Sequence, residues 1–132
     1  MKQTNRKGFT LAELLIVVAI IAVLVAIAIP VLTAQKHKSE VATDWANVRT
    51  YYAELQADYI STEKLNPIVP VDWSTNPKYD YNHLYNLNGE KTKLKAGKCA
   101  VSFNDKDGYS LFYYCNKDYY EHQLTLSSNK GA

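Results

Sequence analysis

Glu13 places a carboxylate inside KGFTLAELLIVVAIIAVLVAIAIP, Lys7 to Pro30, a segment otherwise built almost wholly of hydrocarbon. A charged group at mid-bilayer costs about 2.5–3.5 kcal/mol on insertion scales, so an ionisable residue in such a run marks a function and requires a partner. The chemistry open to it is electrostatic: pairing with a cation in a low-dielectric setting, where the pair is strong and either charge left alone is expensive. Other reactive residue types form no such pattern. His37, His83 and His122 lie in no evident nucleophile constellation, and the chain has no glycine-rich phosphate loop. Cys99 and Cys115 fit neither a C-x-x-C redox pair nor a zinc pattern, and no histidine stands at ligand spacing from them in the sequence. Asn104-Asp105-Lys106-Asp107-Gly108 holds only part of an EF-hand calcium loop and lacks its distal glutamate, so it reads as a hairpin turn. The chain is read as a structural subunit, with no catalytic residues, no cofactor and no metal.

The elements that must carry Glu13 follow from the distribution of apolar residues. Leu14 through Ile29 contains only Leu, Ile, Val and Ala, whereas the chain after Gln35 is mixed and polar. That asymmetry predicts a membrane segment followed by a single head. At 1.5 Å per helical residue, Phe9 to Leu32 is long enough to cross a hydrocarbon core of about 30 Å. Lys2, Arg6 and Lys7 precede the span without an acidic residue, which holds that end in the cytoplasm and the C-terminal head outside. The formal net charge is +2 for 132 residues, and those three cations account for all of the excess. The rest of the chain gives no global case for nucleic-acid binding, which shows as a strongly basic domain.

Beyond Pro30 the pattern becomes one-sided. Val41, Trp45, Val48, Tyr52, Leu55 and Tyr59 recur at steps of four and three, with Glu40, Asp44, Asn47, Glu54 and Asp58 on other faces. The spacing predicts one long helix that packs its second half against a sheet. Pro30 should kink or locally unwind that helix without necessarily ending it. Its length, about 75–80 Å by the standard rise, would give the chain a lollipop outline. STEKLNPIVP ends it. Residues 61–97 look loop-rich, with turns at Asn66-Pro67, Asn76-Pro77 and Asn88-Gly89 and a short alternating strand through Tyr79, Tyr81, His83 and Tyr85.

The last third, 98–126, reads as antiparallel sheet. Cys99, Val101 and Phe103 share one face, as do Tyr109, Leu111, Tyr113 and Cys115 after a turn at Asn104–Gly108. Pairing Phe103 with Leu111 sets Cys99 opposite Cys115, and in a head exported to an oxidising compartment that predicts a disulfide, with a buried reduced pair as the alternative. His122–Leu126 adds a final strand. The fold class is α+β: a long N-terminal helix laid on a small antiparallel sheet.

The leader, GFTLAE, the apolar run and Pro30 together resemble the N-terminus of type IV prepilins and of the pseudopilins of type II secretion and competence systems. The resemblance covers Lys2 to about Gln35. It implies a leader at 1–8 cut between Gly8 and Phe9 by a prepilin peptidase, N-methylation of Phe9, and an assembly role for Glu13 with Phe9. It further implies a membrane and assembly segment at 9–34, with Pro30 as the family's helix-breaking proline, and a pilin head at 35–132. The partner of Glu13 would then be the amine created at Phe9, on a neighbouring subunit or in the same chain. Implied partners are copies of the chain in a pilus, the membrane, the peptidase and an assembly platform. The precursor would sit in the inner membrane and the product on the cell surface, serving adhesion, twitching motility or DNA uptake. The alternative within the resemblance is a pseudopilin for secretion or competence.

Rival readings explain less. A secretory signal cut near Ala26-Ile27-Ala28 or Thr33-Ala34 fits poorly with a run this long that contains Glu13, and a simple membrane anchor on a monomeric binding head leaves Glu13 without a purpose. Lys91, Lys93, Lys95 and Lys98 could touch nucleic acid or another anionic surface, but they serve equally as the charged guard of an edge strand. The paired tyrosines at 51–52, 113–114 and 119–120 suggest adhesive contacts or charge transport, yet tyrosine is also an ordinary strand and core residue.

Overall fold

A computed structural model of the chain describes residues 8–71, 80–118 and 121–128. The basic residues Lys2, Arg6 and Lys7, the turn expected at Asn76-Pro77, Tyr79 and the Tyr119-Tyr120 pair lie outside the described residues. Helix α1, Leu11–Thr62, is 52 residues long and continues through Pro30. Proline there removes one backbone donor, and the helix nevertheless persists on both sides of it. The helix stops where Glu63 turns to a left-handed φ of 54°, its N–H donating to Tyr59 O at 2.7 Å. That is the usual way to satisfy a terminal carbonyl, here before the first proline is reached.

The chain divides between Lys36 and His37 into two compact units. In the second, two small antiparallel sheets follow the helix. Strands β1 (His83–Tyr85) and β2 (Lys91–Lys93) form a hairpin around Asn88-Gly89, with Gly89 at φ 90° as such a turn requires. Strands β3 (Gly97–Asn104), β4 (Gly108–Cys115) and β5 (Leu124–Ser127) form a meander in the order β3-β4-β5. Lys91 and Lys93 are exposed along β2, as expected for a solvated edge.

The core lies between the second half of α1 and the inward faces of β1, β3 and β4. Val48, Tyr51 and Leu55 meet Leu84, Cys99, Val101, Tyr109, Leu111 and Tyr113. Three buried tyrosines, Tyr51, Tyr109 and Tyr113, are therefore core residues. The buried stripe of α1 is Val41, Asp44, Val48, Tyr51 and Leu55, rotated from the expected stripe, so that Trp45, Tyr52 and Tyr59 only flank the core. Asp44, expected on the polar face, is completely buried.

The β3–β4 register also corrects the sequence expectation. Phe103 pairs with Tyr109, Cys99 with Tyr113, and Cys115 with Gly97. The connection is the three residues Asp105–Asp107, followed by Gly108 at a left-handed φ of 80°. Asn104 Oδ1 accepts from Lys106 N at 3.0 Å within it. Helix side chains hold the turn from below: Tyr59 Oη donates to Asp105 O and Gln56 Nε2 to Asp107 O. The two-residue shift in pairing leaves the inward faces unchanged but moves the two cysteines from opposite positions to diagonal ones. Diagonal neighbours stand farther apart than a disulfide reaches. Cys99 and Cys115 are both buried, and the expected bridge between them is not formed. Gly97 is required beside Cys115, since a Cβ there would lie 2.3 Å from Tyr114 O.

Burial of these groups sets an alkaline limit on the head. Burial pushes the Cys99 thiol up from 9.0 to about 12, and the phenols of Tyr51 and Tyr113 rise for the same leading reason. The unfolded chain loses these protons first, so stability is complete below about pH 9 and falls as the pH rises toward 12. The loss is up to about 1.4 kcal/mol per pH unit for the thiol alone. Urea midpoints of the full chain in detergent should be flat from about pH 7 to 8 and drop steadily above about pH 9. A midpoint that held to pH 11 would contradict the buried placement.

Candidate functional site

The N-terminal unit places Gly8, Phe9 and Glu13 around a helix start. Residues 8–10 are non-helical and exposed, with Phe9 87 % exposed. Thr10 is the N-cap. Its Oγ1 accepts from Glu13 N at 3.2 Å, and Glu13 Oε2 accepts from Thr10 N at 3.2 Å. The first helical bond, Leu14 N to Thr10 O, follows at 3.1 Å. This is a reciprocal capping box, in which the first turn's orphan donors are met by side chains. Thr-x-x-Glu ahead of an apolar run is the sequence signature of that motif. The box fixes the Glu13 carboxylate over the helix N-terminus, where the helix dipole favours a negative charge.

From Leu11 to Leu32 every apolar side chain is exposed, Leu14 at 54 % and Ile27 at 64 % being representative. A helix apolar on all sides has no face to present to water, so its surface calls for lipid or other apolar helices. It is long and apolar enough to cross a membrane.

Among the described residues of the second unit, the histidine and buried acidic side chains fall into three groups. His83 Nδ1 is 2.7 Å from Asp80 Oδ2, a local pair at one end of β1. Asp44 accepts three hydrogen bonds inside the core: from Lys95 N and Ala96 N, both at 2.7 Å, and from Tyr113 Oη at 2.8 Å. The third group joins residues far apart in sequence. His37 Nε2 and His122 Nδ1 approach the same oxygen, Asp118 Oδ2, at 3.1 and 2.6 Å. The Cys115 sulfur lies 3.6 Å from His37 Nε2. Asp118 is held down to about 2, first by the neighbouring Cys115 thiol and then by the two imidazoles, against the opposing effect of desolvation. Two expectations are thereby revised: Cys115 stands beside a histidine, and Asp118 and Asp44 acquire roles that spacing along the chain did not announce.

A long N-terminal helix, apolar and carboxylate-capped at its start, whose second half packs on small antiparallel sheets, defines a pilin-like α+β protein. Residues 3–29 match the prokaryotic N-terminal methylation motif, the prepilin-type cleavage and methylation signal. The N-terminus is thus similar to that of type IV pilin- and pseudopilin-like precursors. The match spans Gly8, Phe9 and Glu13 and leaves the head outside it. No curated protein and no solved structure matches the chain.

Proposed function

We propose that this chain is a subunit of a type IV pilus. It is inserted with its N-terminus inside, cut between Gly8 and Phe9 by a prepilin peptidase, methylated on Phe9 and then polymerised into a surface fibre. The observation that carries the reading is the position of Glu13, an ordered carboxylate at the start of a helix whose apolar residues are exposed all round. Cleavage frees an amine at Phe9, cationic near neutral pH. Pairing that amine with Glu13 of a neighbouring copy in the apolar interior of a fibre penalises any subunit docked at the wrong height, because either charge alone there is costly. The leader, the assembly segment 9–34 and the head 35–132 then act in that order, and Pro30 is the place where the helix yields during packing.

Intact-mass and N-terminal peptide analysis of membranes and sheared surface material from native cells tests this. The expected species begins at methylated Phe9 and is found in the sheared fraction. The same species confined to membranes, with a secretion or transformation defect on deletion, would favour a pseudopilin. A chain that retains residues 1–8 would defeat both readings.

A further inference from the structure

Four side chains that the N-terminal motif does not involve converge at one edge of the head. His37 comes from α1, Cys115 is the last residue of β4, Asp118 follows it, and His122 precedes β5. The coordinating atoms of His37, Asp118 and His122 all lie within 4.8 Å of one another, and the Cys115 sulfur is 3.6 Å from His37 Nε2. We propose that His37, Cys115, Asp118 and His122 form a tetrahedral site for a zinc-class divalent ion, which ties α1 to the β4–β5 connection.

The distances suit that use for His37, Asp118 and His122, and the Cys115 sulfur, outside that 4.8 Å group, closes in on binding. With metal–nitrogen and metal–oxygen bonds near 2.0–2.1 Å and metal–sulfur near 2.3 Å, the edges of a tetrahedron are about 3.3 Å for N···O and about 3.6 Å for N···S. The His37–Asp118 and His37–Cys115 separations, 3.1 and 3.6 Å, already match. The His122–Asp118 separation of 2.6 Å is a hydrogen bond and needs to open by about 0.7 Å, a side-chain adjustment. The imidazole planes stand nearly perpendicular, at 81°, so both rings can aim a nitrogen at one point without stacking.

A second, independent observation comes from Asp118. Its Oδ1 is buried with no hydrogen-bond partner among the described residues, an orphan acceptor of the kind that coordination or its second shell resolves. Meanwhile two imidazoles crowd its other oxygen. Cys115 is equally free to change role. Its thiol lies 3.4 Å from Ala96 O, and that carbonyl also accepts from Asn116 N at 3.0 Å, so giving up the thiol proton leaves the carbonyl partnered.

The donor set decides the ion. Thiolate and imidazole suit zinc, cobalt or nickel, whereas calcium and magnesium take oxygen. One thiolate, one carboxylate and two neutral imidazoles neutralise a divalent cation, which fits a site whose His37, Asp118 and His122 side chains are only 19, 19 and 26 % exposed.

The test uses the reduced full chain in detergent, without a polyhistidine tag, titrated with Co2+. The expected result is one ion per chain, with the visible absorption of tetrahedral cobalt and a near-ultraviolet thiolate-to-cobalt band, both abolished by added Zn2+. Cys115→Ser should remove the thiolate band, His37→Ala and His122→Ala should each weaken binding at least about tenfold, and His83→Ala should change nothing. Octahedral cobalt spectra, or bands that survive in both Cys115→Ser and His37→Ala, would overturn the site. Both histidines are partly exposed, so their variants remain informative even if Cys115→Ser does not fold.

Discussion

Asp44→Ala is expected to destabilise the head by about 3–5 kcal/mol, a large part of the 5–15 kcal/mol that holds a typical domain together. The residue is wholly buried, and its carboxyl group is the meeting point of α1, the β2–β3 connection and β4. Lys95 N donates to Oδ1, while Ala96 N and Tyr113 Oη donate to Oδ2. Alanine removes all three acceptors at once. Each donor left unpaired in the interior costs about 1–3 kcal/mol, since water cannot replace the lost partner without opening the core. Asp44→Asn separates polarity from hydrogen-bond logic. Its amide oxygen can still serve Ala96 and Tyr113, but its NH2 then faces the Lys95 N–H, so the expected loss is smaller than for alanine. Tyr113→Phe removes one donor cleanly and should cost only about 1 kcal/mol. Urea unfolding of the three variants provides the measurement, and alanine and asparagine variants as stable as the parent would show that Asp44 is not a structural anchor.

Asp44 also shows where reading the sequence stopped. The helix was legible because its signal is local: sixteen consecutive aliphatic residues from Leu14 to Ile29, then apolar residues at helical spacing. Residue type placed Trp45 and Tyr52 on the inner stripe and Asp44 outside, whereas the partners that draw Asp44 inward come from residues 95, 96 and 113. The hairpin was legible for the same local reason, through alternation on either side of a turn. Its register was not, because the strands close as well over the three residues Asp105–Asp107 as over the five residues Asp105–Tyr109, and both keep the same side chains inward. The choice of the tighter loop, with Gly108 at positive φ, decides whether the cysteines face each other. The convergence of His37 with residues 115, 118 and 122 depends on that register and on helix docking together. In contrast, Thr10 as the cap for Glu13 was written in four consecutive residues, Thr10-Leu11-Ala12-Glu13.

Glu13→Val should insert and be cleaved normally yet lower the yield of sheared fibres at least about tenfold, the effect of losing little more than 1.4 kcal/mol per docked subunit. The capping box supplies a competing explanation, since valine also removes the acceptor of the Thr10 N–H. Two further substitutions separate cap from charge. Thr10→Ala removes the N-cap hydroxyl, which costs the helix about 1 kcal/mol, but retains the carboxylate; fibres should form at near parental yield. Glu13→Gln retains a side chain that completes a capping box but cannot neutralise the Phe9 amine of a neighbour, so it should fail as valine does. The opposite pattern, with Gln assembling and Thr10→Ala failing, would assign Glu13 to helix initiation alone. The distinction is physical: a cap acts within one chain and is lost gradually, whereas an unpaired amine among packed apolar helices obstructs every subunit added after it.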